Sequence, residues 1–275
     1  MPVNLIFILM TTGLGIGFLS GLLGIGGGII MTPVQYSVYT SSGWSTDIAT
    51  KVAFATSLAV IFPTAASGVW RHHRQDGIYW RAAILMGLVS FTCSFIGAWI
   101  ASGHISGSAL KIAFGVIGLI IAVRMLTVKI SEVDRPIRKN IWLWFALALP
   151  VGVITGILGI GGGVIVIPIL VLVLRFRMRN AVATSLGIML FSSAGGMLGW
   201  VINGLHAQNL PSYTLGYIYW PAWIALSITS ISLAQVGALV AHKIPGRQLN
   251  YIFVVLVFIV SLYMLGVFSW IIGKL

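Results

Sequence analysis

Apolar runs of 18 or more residues recur along the whole of this 275-residue chain, and each is long enough to cross about 30 Å of hydrocarbon. That recurrence leaves few folds open. Charged residues are only 7% of the chain, against about 25% in a soluble domain, so most of the surface must face lipid. In lipid a helix satisfies all its backbone groups internally, and the pattern predicts an all-α integral membrane protein. Eight apolar segments lie at roughly 3–39, 48–70, 78–102, 107–127, 141–174, 181–203, 215–241 and 248–272. The first and fifth are too long for one crossing and are interrupted by glycines. The start of the chain lacks a basic n-region and a cleavage motif, so the first helix reads as retained.

Other classes are disfavoured. The net charge of +12 sits in short loops between apolar runs, where topology signals sit, so no nucleic-acid partner is expected. Cys93 is the one cysteine, which rules out a disulfide framework within the chain. His104, His206 and His242 are scattered without metal-ligand spacing, and Arg71-His72-His73-Arg74 reads as a headgroup anchor at a segment end. No metal and no cofactor are expected. Serines are plentiful, but no G-x-S-x-G with a histidine partner accompanies them, so no catalytic residue is assigned and no enzyme is expected.

The chain repeats itself. GLLGIGGGIIMTP at Gly21–Pro33 matches GILGIGGGVIVIP at Gly156–Pro168. ATSL at Ala55–Leu58 recurs at Ala183–Leu186, IYW at Ile78–Trp80 recurs at Ile218–Trp220, and Gly97-Ala98 recurs at Gly237-Ala238. The order is kept, with offsets between 128 and 140 residues. This divides the chain into a first membrane repeat at 1–127, a charged cytoplasmic linker at 128–140 and a second repeat at 141–275.

Basic residues then set the topology. If all eight segments crossed, strongly positive loops would fall on both sides. If the first and fifth are glycine-broken hairpins, 13 of the 16 Lys and Arg residues share one side, leaving Lys51, Lys111 and Lys274 on the other. Each half then has one hairpin and three transmembrane helices. An odd number of crossings makes the two halves inverted repeats, a common transporter architecture.

Two motifs carry candidate chemistry. Gly24, Gly26, Gly27 and Gly28 break segment 1, and Gly159, Gly161, Gly162 and Gly163 break segment 5. Unwound backbone at membrane depth persists where it is buried or lines a cavity, and the helix that follows opens with unpaired N–H groups that favour an anion. Close helix packing is the alternative use of such glycines. Thr56, Ser57, Thr184 and Ser185 offer hydroxyls that could bind an oxyanion, or that could bond back to their own helices. All four acidic residues, Asp47, Asp76, Glu132 and Asp134, lie in or near loops, so no intramembrane carboxylate is available for a cation. An anionic substrate is favoured. Lys51 reads as a snorkelling residue at the mouth of the pathway, and Tyr79, Trp80, Tyr219 and Trp220 as an interfacial aromatic belt.

Two copies of G-x-L-G-x-G-G-G-x-x-x-x-P, each followed by A-T-S-L, resemble the sulfite exporter TauE/SafE family of bacterial permeases, over nearly the whole chain. The family's motif maps to Gly24, Gly26–Gly28, Pro33, Gly159, Gly161–Gly163 and Pro168. The resemblance implies a small sulfur-containing anion, sulfite or an organosulfonate, moved across the bacterial cytoplasmic (inner) membrane. The expectation is a secondary transporter working by alternating access, in contact with membrane lipid and open to homo-oligomer formation. An anion channel and a non-transporting membrane scaffold are the alternatives. The coupling ion is not legible in the sequence.

Overall fold

The computed structural model describes residues 3–74, 77–127, 137–207, 210–241 and 243–267, with side chains from Phe7 onward. Asp76, Glu132, Asp134, His242, Lys274 and most of the charged linker lie outside them. The chain is a helical membrane protein. Its helices are α1 (Val3–Leu23), α2 (Gly28–Ser41), α3 (Thr46–His73), α4 (Trp80–His104), α5 (Gly107–Thr127), α6 (Ile141–Leu158), α7 (Gly163–Pro168), α8 (Met178–Gly204), α9 (Trp220–Ala241) and α10 (Gly246–Met264). A π turn, Ile169–Val173, continues α7. Seven of these helices are long and apolar enough to cross a membrane.

Small residues set the closest helix contacts. In lipid, tails are as apolar as leucine, so helices associate through close backbone approach and van der Waals packing. Gly13, Gly17 and Gly21 form a stripe on α1 that meets Thr229, Ser230 and Ala238 of α9 in ascending order, so α1 and α9 run parallel. Gly152 and Gly156 of α6 meet Ser90 and Ala98 of α4 in the same sense. Thr56 and Thr64 of α3 pair with Tyr219 and Ser230, which makes α3 parallel to α9. Gly187 and Gly199 of α8 meet Ala83 and Ala98, which makes α8 parallel to α4.

Two further contacts run the other way. Gly68 lies against Leu186 and Gly196 against Leu58, so α3 and α8 are antiparallel. Gly115 lies against Leu265, and Asn250 Nδ2 donates to the Met125 carbonyl, so α5 and α10 are antiparallel. These directions put Arg71, Arg81, Arg124, Arg138, Arg179 and Arg247 at one end of the bundle. Lys51 and Lys111 sit at the other. α1 and α3 point the same way, so α2 returns toward the end from which α1 began.

At the lysine end Asp47 ties α3 to α5. Its Oδ1 accepts from the Gly107 amide, the first of α5, at 2.6 Å. Its Oδ2 pairs with Lys51 at 3.1 Å, so Lys51 is ion-paired rather than simply snorkelling. A carboxylate on an orphan helix-start amide acts as a cap. Asp47→Ala is expected to cost about 1 kcal/mol, read as a lower melting temperature of the detergent-purified protein. Unchanged melting would mean that the contact contributes nothing.

Segment 7 begins differently from its sequence reading. Thr214–Leu215 and Ile218–Tyr219 form a two-stranded antiparallel hairpin before α9 starts. Gly216, at φ +54°, makes its turn. Helical periodicity could not separate this short apolar hairpin from the helix that follows it.

Candidate functional site

The two glycine breaks meet in the middle of the protein. Gly26 and Gly161 both lie against Ile61, close to the midpoint of α3. Gly28 sits against the Ile160 carbonyl, and a Cβ there would stand 2.7 Å from that oxygen. Gly163 sits against Ile25, with a Cβ position 2.6 Å from its Cα. The fourth glycine of each motif therefore lets the two breaks touch backbone to backbone. The others supply conformation: Gly24, Gly26 and Gly27 have φ of 66°, 69° and 74°, and Gly159, Gly161 and Gly162 have 66°, 76° and 89°. L-residues with side chains rarely adopt such angles. The breaks are buried throughout.

α2 starts at this crossing. Gly27 is its N-cap with no side-chain cap, and its carbonyl already accepts from Ile30 and Met31. The amides of Gly28 and Ile29 belong to the first turn, which has no intrahelical acceptor. α7 opens the same way at Gly162, whose carbonyl accepts from Ile165 and Val166.

The predicted hydroxyls are all fully buried, and they take three different positions. Thr56 Oγ1 accepts from the Tyr219 amide at 3.0 Å, and Thr184 Oγ1 accepts from the Tyr79 amide at 3.0 Å. Each threonine thus holds the residue before the first helix turn of the other half's α9 or α4. Ser185 Oγ donates to the Gly24 carbonyl at 2.7 Å and to Val182 at 2.8 Å, so it touches the first glycine break. Ser57 accepts from Thr32 Oγ1 at 3.1 Å and from Gln35 Nε2 at 3.0 Å. Gln35 Oε1 in turn accepts from the Tyr39 hydroxyl at 2.8 Å.

The residues before α4 and α9 are not all interfacial. Tyr219 is buried at 4% exposure, whereas Trp220 is 41% exposed. Tyr219 packs edge-on against Tyr39 and Trp44, which stack on each other with centroids 4.6 Å apart. At the other end Tyr79 packs edge-on against Trp144 and Phe176. Thr56 and Thr184 therefore anchor two aromatic clusters on opposite sides of the glycine crossing. The sequence predicts an interfacial belt for these tyrosines and does not single out Thr32, Gln35, Tyr39 or Trp44. The spacing of 28, 32, 35 and 39, one face of a helix, was the available signal.

Asp47 is the one acidic residue among those described and lies outside this core. Among the described residues no group of three or more His, Cys, Asp or Glu could hold a metal.

Residues 9–264 match the model of the family described as "Sulfite exporter TauE/SafE". A "Probable membrane transporter protein" of Methanocaldococcus jannaschii is 27% identical over 94% of this chain and 94% of its own length. One of Haemophilus influenzae is 27% identical over 94% of this chain and 97% of its own. The "Probable membrane transporter protein YunE" of Bacillus subtilis is 26% identical over 95% and 98%. No solved structure matches the chain significantly.

Proposed function

The chain belongs to the sulfite exporter TauE/SafE family, a family of membrane permeases rather than enzymes, and on that premise we propose a secondary transporter that moves a small sulfur-containing anion, sulfite or an organosulfonate, across the cytoplasmic membrane by alternating access. The observation that supports this most is the meeting of the two glycine breaks at the core, where α2 opens with amides that lack intrahelical acceptors. Orphan amides and the positive end of a helix dipole favour an anion, and discontinuous helices hold substrates at this depth in other carriers.

In this reading Gly24, Gly26, Gly27 and Gly28 with Gly159, Gly161, Gly162 and Gly163 form the anion site. Thr56, Ser57, Thr184 and Ser185 surround it. The halves are inverted repeats, which the antiparallel packing of α3 on α8 and of α5 on α10 supports. The two aromatic clusters are the closures, one on each side, and opening them in turn exposes the crossing to one compartment and then the other.

Sulfite or methanesulfonate is expected to raise the melting temperature of the purified protein selectively over chloride, acetate and sulfate, because a ligand that binds the native state stabilises it. The same anion should drive saturable counterflow in proteoliposomes. Non-saturable flux would identify a channel, and absence of both binding and flux would leave a scaffold.

A further inference from the structure

We propose that Gln35 and Ser57 form the selectivity end of the substrate site, reading the acceptor oxygens of the anion with uncharged donors supplied by one half of the protein only. This rests on the transporter reading above and sharpens it. Gly28, Thr32, Gln35 and Tyr39 stand at i, i+4, i+7 and i+11 of α2 and share one face, which lies against Ser57 and Ile61 of α3. Gln35 lies about 10 Å, or two helical turns, along this face from the amides at the crossing.

The cluster leaves donors over. Ser57 Oγ accepts two hydrogen bonds, and Gln35 uses one of its two amide hydrogens on it. The Tyr39 hydroxyl is spent on Gln35 Oε1. Gln35 and Ser57 together carry three donor hydrogens, and the bonds above use one of them. Thr32, Gln35, Tyr39 and Ser57 are all 0% exposed, and buried polar groups are ordinarily satisfied. Two unspent hydrogens on neighbouring side chains fit a ligand that brings only acceptors, as a sulfonate or sulfite does.

The fold does not require this polarity. At the offset that superposes the glycine motifs, Thr32, Gln35 and Tyr39 correspond to Ile167, Leu170 and Leu174. Ile167, Leu170 and Leu174 are buried in apolar clusters. Ser185, the counterpart of Ser57, spends its hydroxyl on the Gly24 and Val182 carbonyls. The same glycine motif is thus followed by a polar stripe on α2 and by apolar residues on α7 and its π turn. Burying an amide costs free energy unless it is fully bonded, so a stripe kept in one half and absent from the other points to a ligand, not to packing.

The test measures affinity by thermal shift for sulfite, methanesulfonate, acetate and chloride in wild type, Gln35→Leu and Ser57→Ala. Gln35→Leu also strips the acceptor from the buried Tyr39 hydroxyl, which lowers the unliganded melting point by itself, so each shift is read against the same variant without anion. Both variants are expected to lose at least tenfold in affinity for whichever oxyanion the wild type prefers, and to lose its preference over chloride. A purely structural role would weaken all anions in proportion and leave the preference over chloride unchanged. If Gln35→Leu does not fold, Ser57→Ala, which removes one oxygen, decides. Wild-type affinity and preference in the variants would overturn this inference and leave the transporter reading standing. A wild type that binds none of the four anions would overturn both.

Discussion

Valine in place of Gly27 or Gly162 is expected to abolish transport in proteoliposomes while leaving membrane insertion intact. Both glycines sit at positive φ, 74° and 89°, where a β-branched residue is a conformational outlier. Holding a residue in such a region costs about 1–3 kcal/mol. The new Cβ would also collide: with Ile16 Cγ2 at 2.5 Å from position 27, and with Thr155 Oγ1 at 2.7 Å from position 162. Overpacking of that kind adds about 1–3 kcal/mol. Together the two effects displace the turn that presents the first amides of α2 or α7. Insertion depends on the apolar length of the helices, which the substitution does not change.

Gly43 supplies the control. It has φ of 85° but nothing within 4 Å of its Cβ position, so Gly43→Ala carries only the backbone cost, about 1–2 kcal/mol. Transport lost at positions 27 and 162 but kept at 43 would locate the effect at the crossing. Transport kept in Gly27→Val and Gly162→Val would remove the glycine breaks from the mechanism.

Much of the scaffold is legible in the sequence because it is written twice. The positive-φ glycines announce themselves by identical spacing in two copies, and the apolar segments by length. What repetition could not reveal is which parts touch. ATSL and IYW recur in both halves, but identity between copies does not say that Thr56 bonds Tyr219 or that Thr184 bonds Tyr79. That exchange depends on helix directions, which come from three-dimensional packing of small residues. The hairpin ahead of α9 escaped because so short an apolar run at a helix start matches either period. Gln35 escaped for the opposite reason: it breaks the repeat, and attention to matching strings passes over the position where the copies differ.

That exchange of partners carries the last expectation. Thr56→Val and Thr184→Val keep side-chain shape but strip the acceptor from the main-chain amide of Tyr219 or Tyr79. Leaving a buried donor unsatisfied costs about 1–3 kcal/mol, and if the bond is made in one conformation only, its loss shifts the conformational equilibrium roughly tenfold and slows transport. Serine at either position restores the oxygen and should restore the rate. The double variant separates two roles for these hydroxyls. α3 and α8 are antiparallel with Leu58 beside Gly196 and Gly68 beside Leu186, so the two bonds lie about 21 Å apart along α3, far enough for their stability costs to add. As fold anchors alone, both losses would add in the rate as well, and the double variant would be slowest. As anchors of opposite closures, each single variant biases the conformational equilibrium toward one compartment, and weakening both returns it toward balance. The double variant should then melt lowest yet transport faster than either single one; a double variant slower than both would show that the threonines only hold the fold.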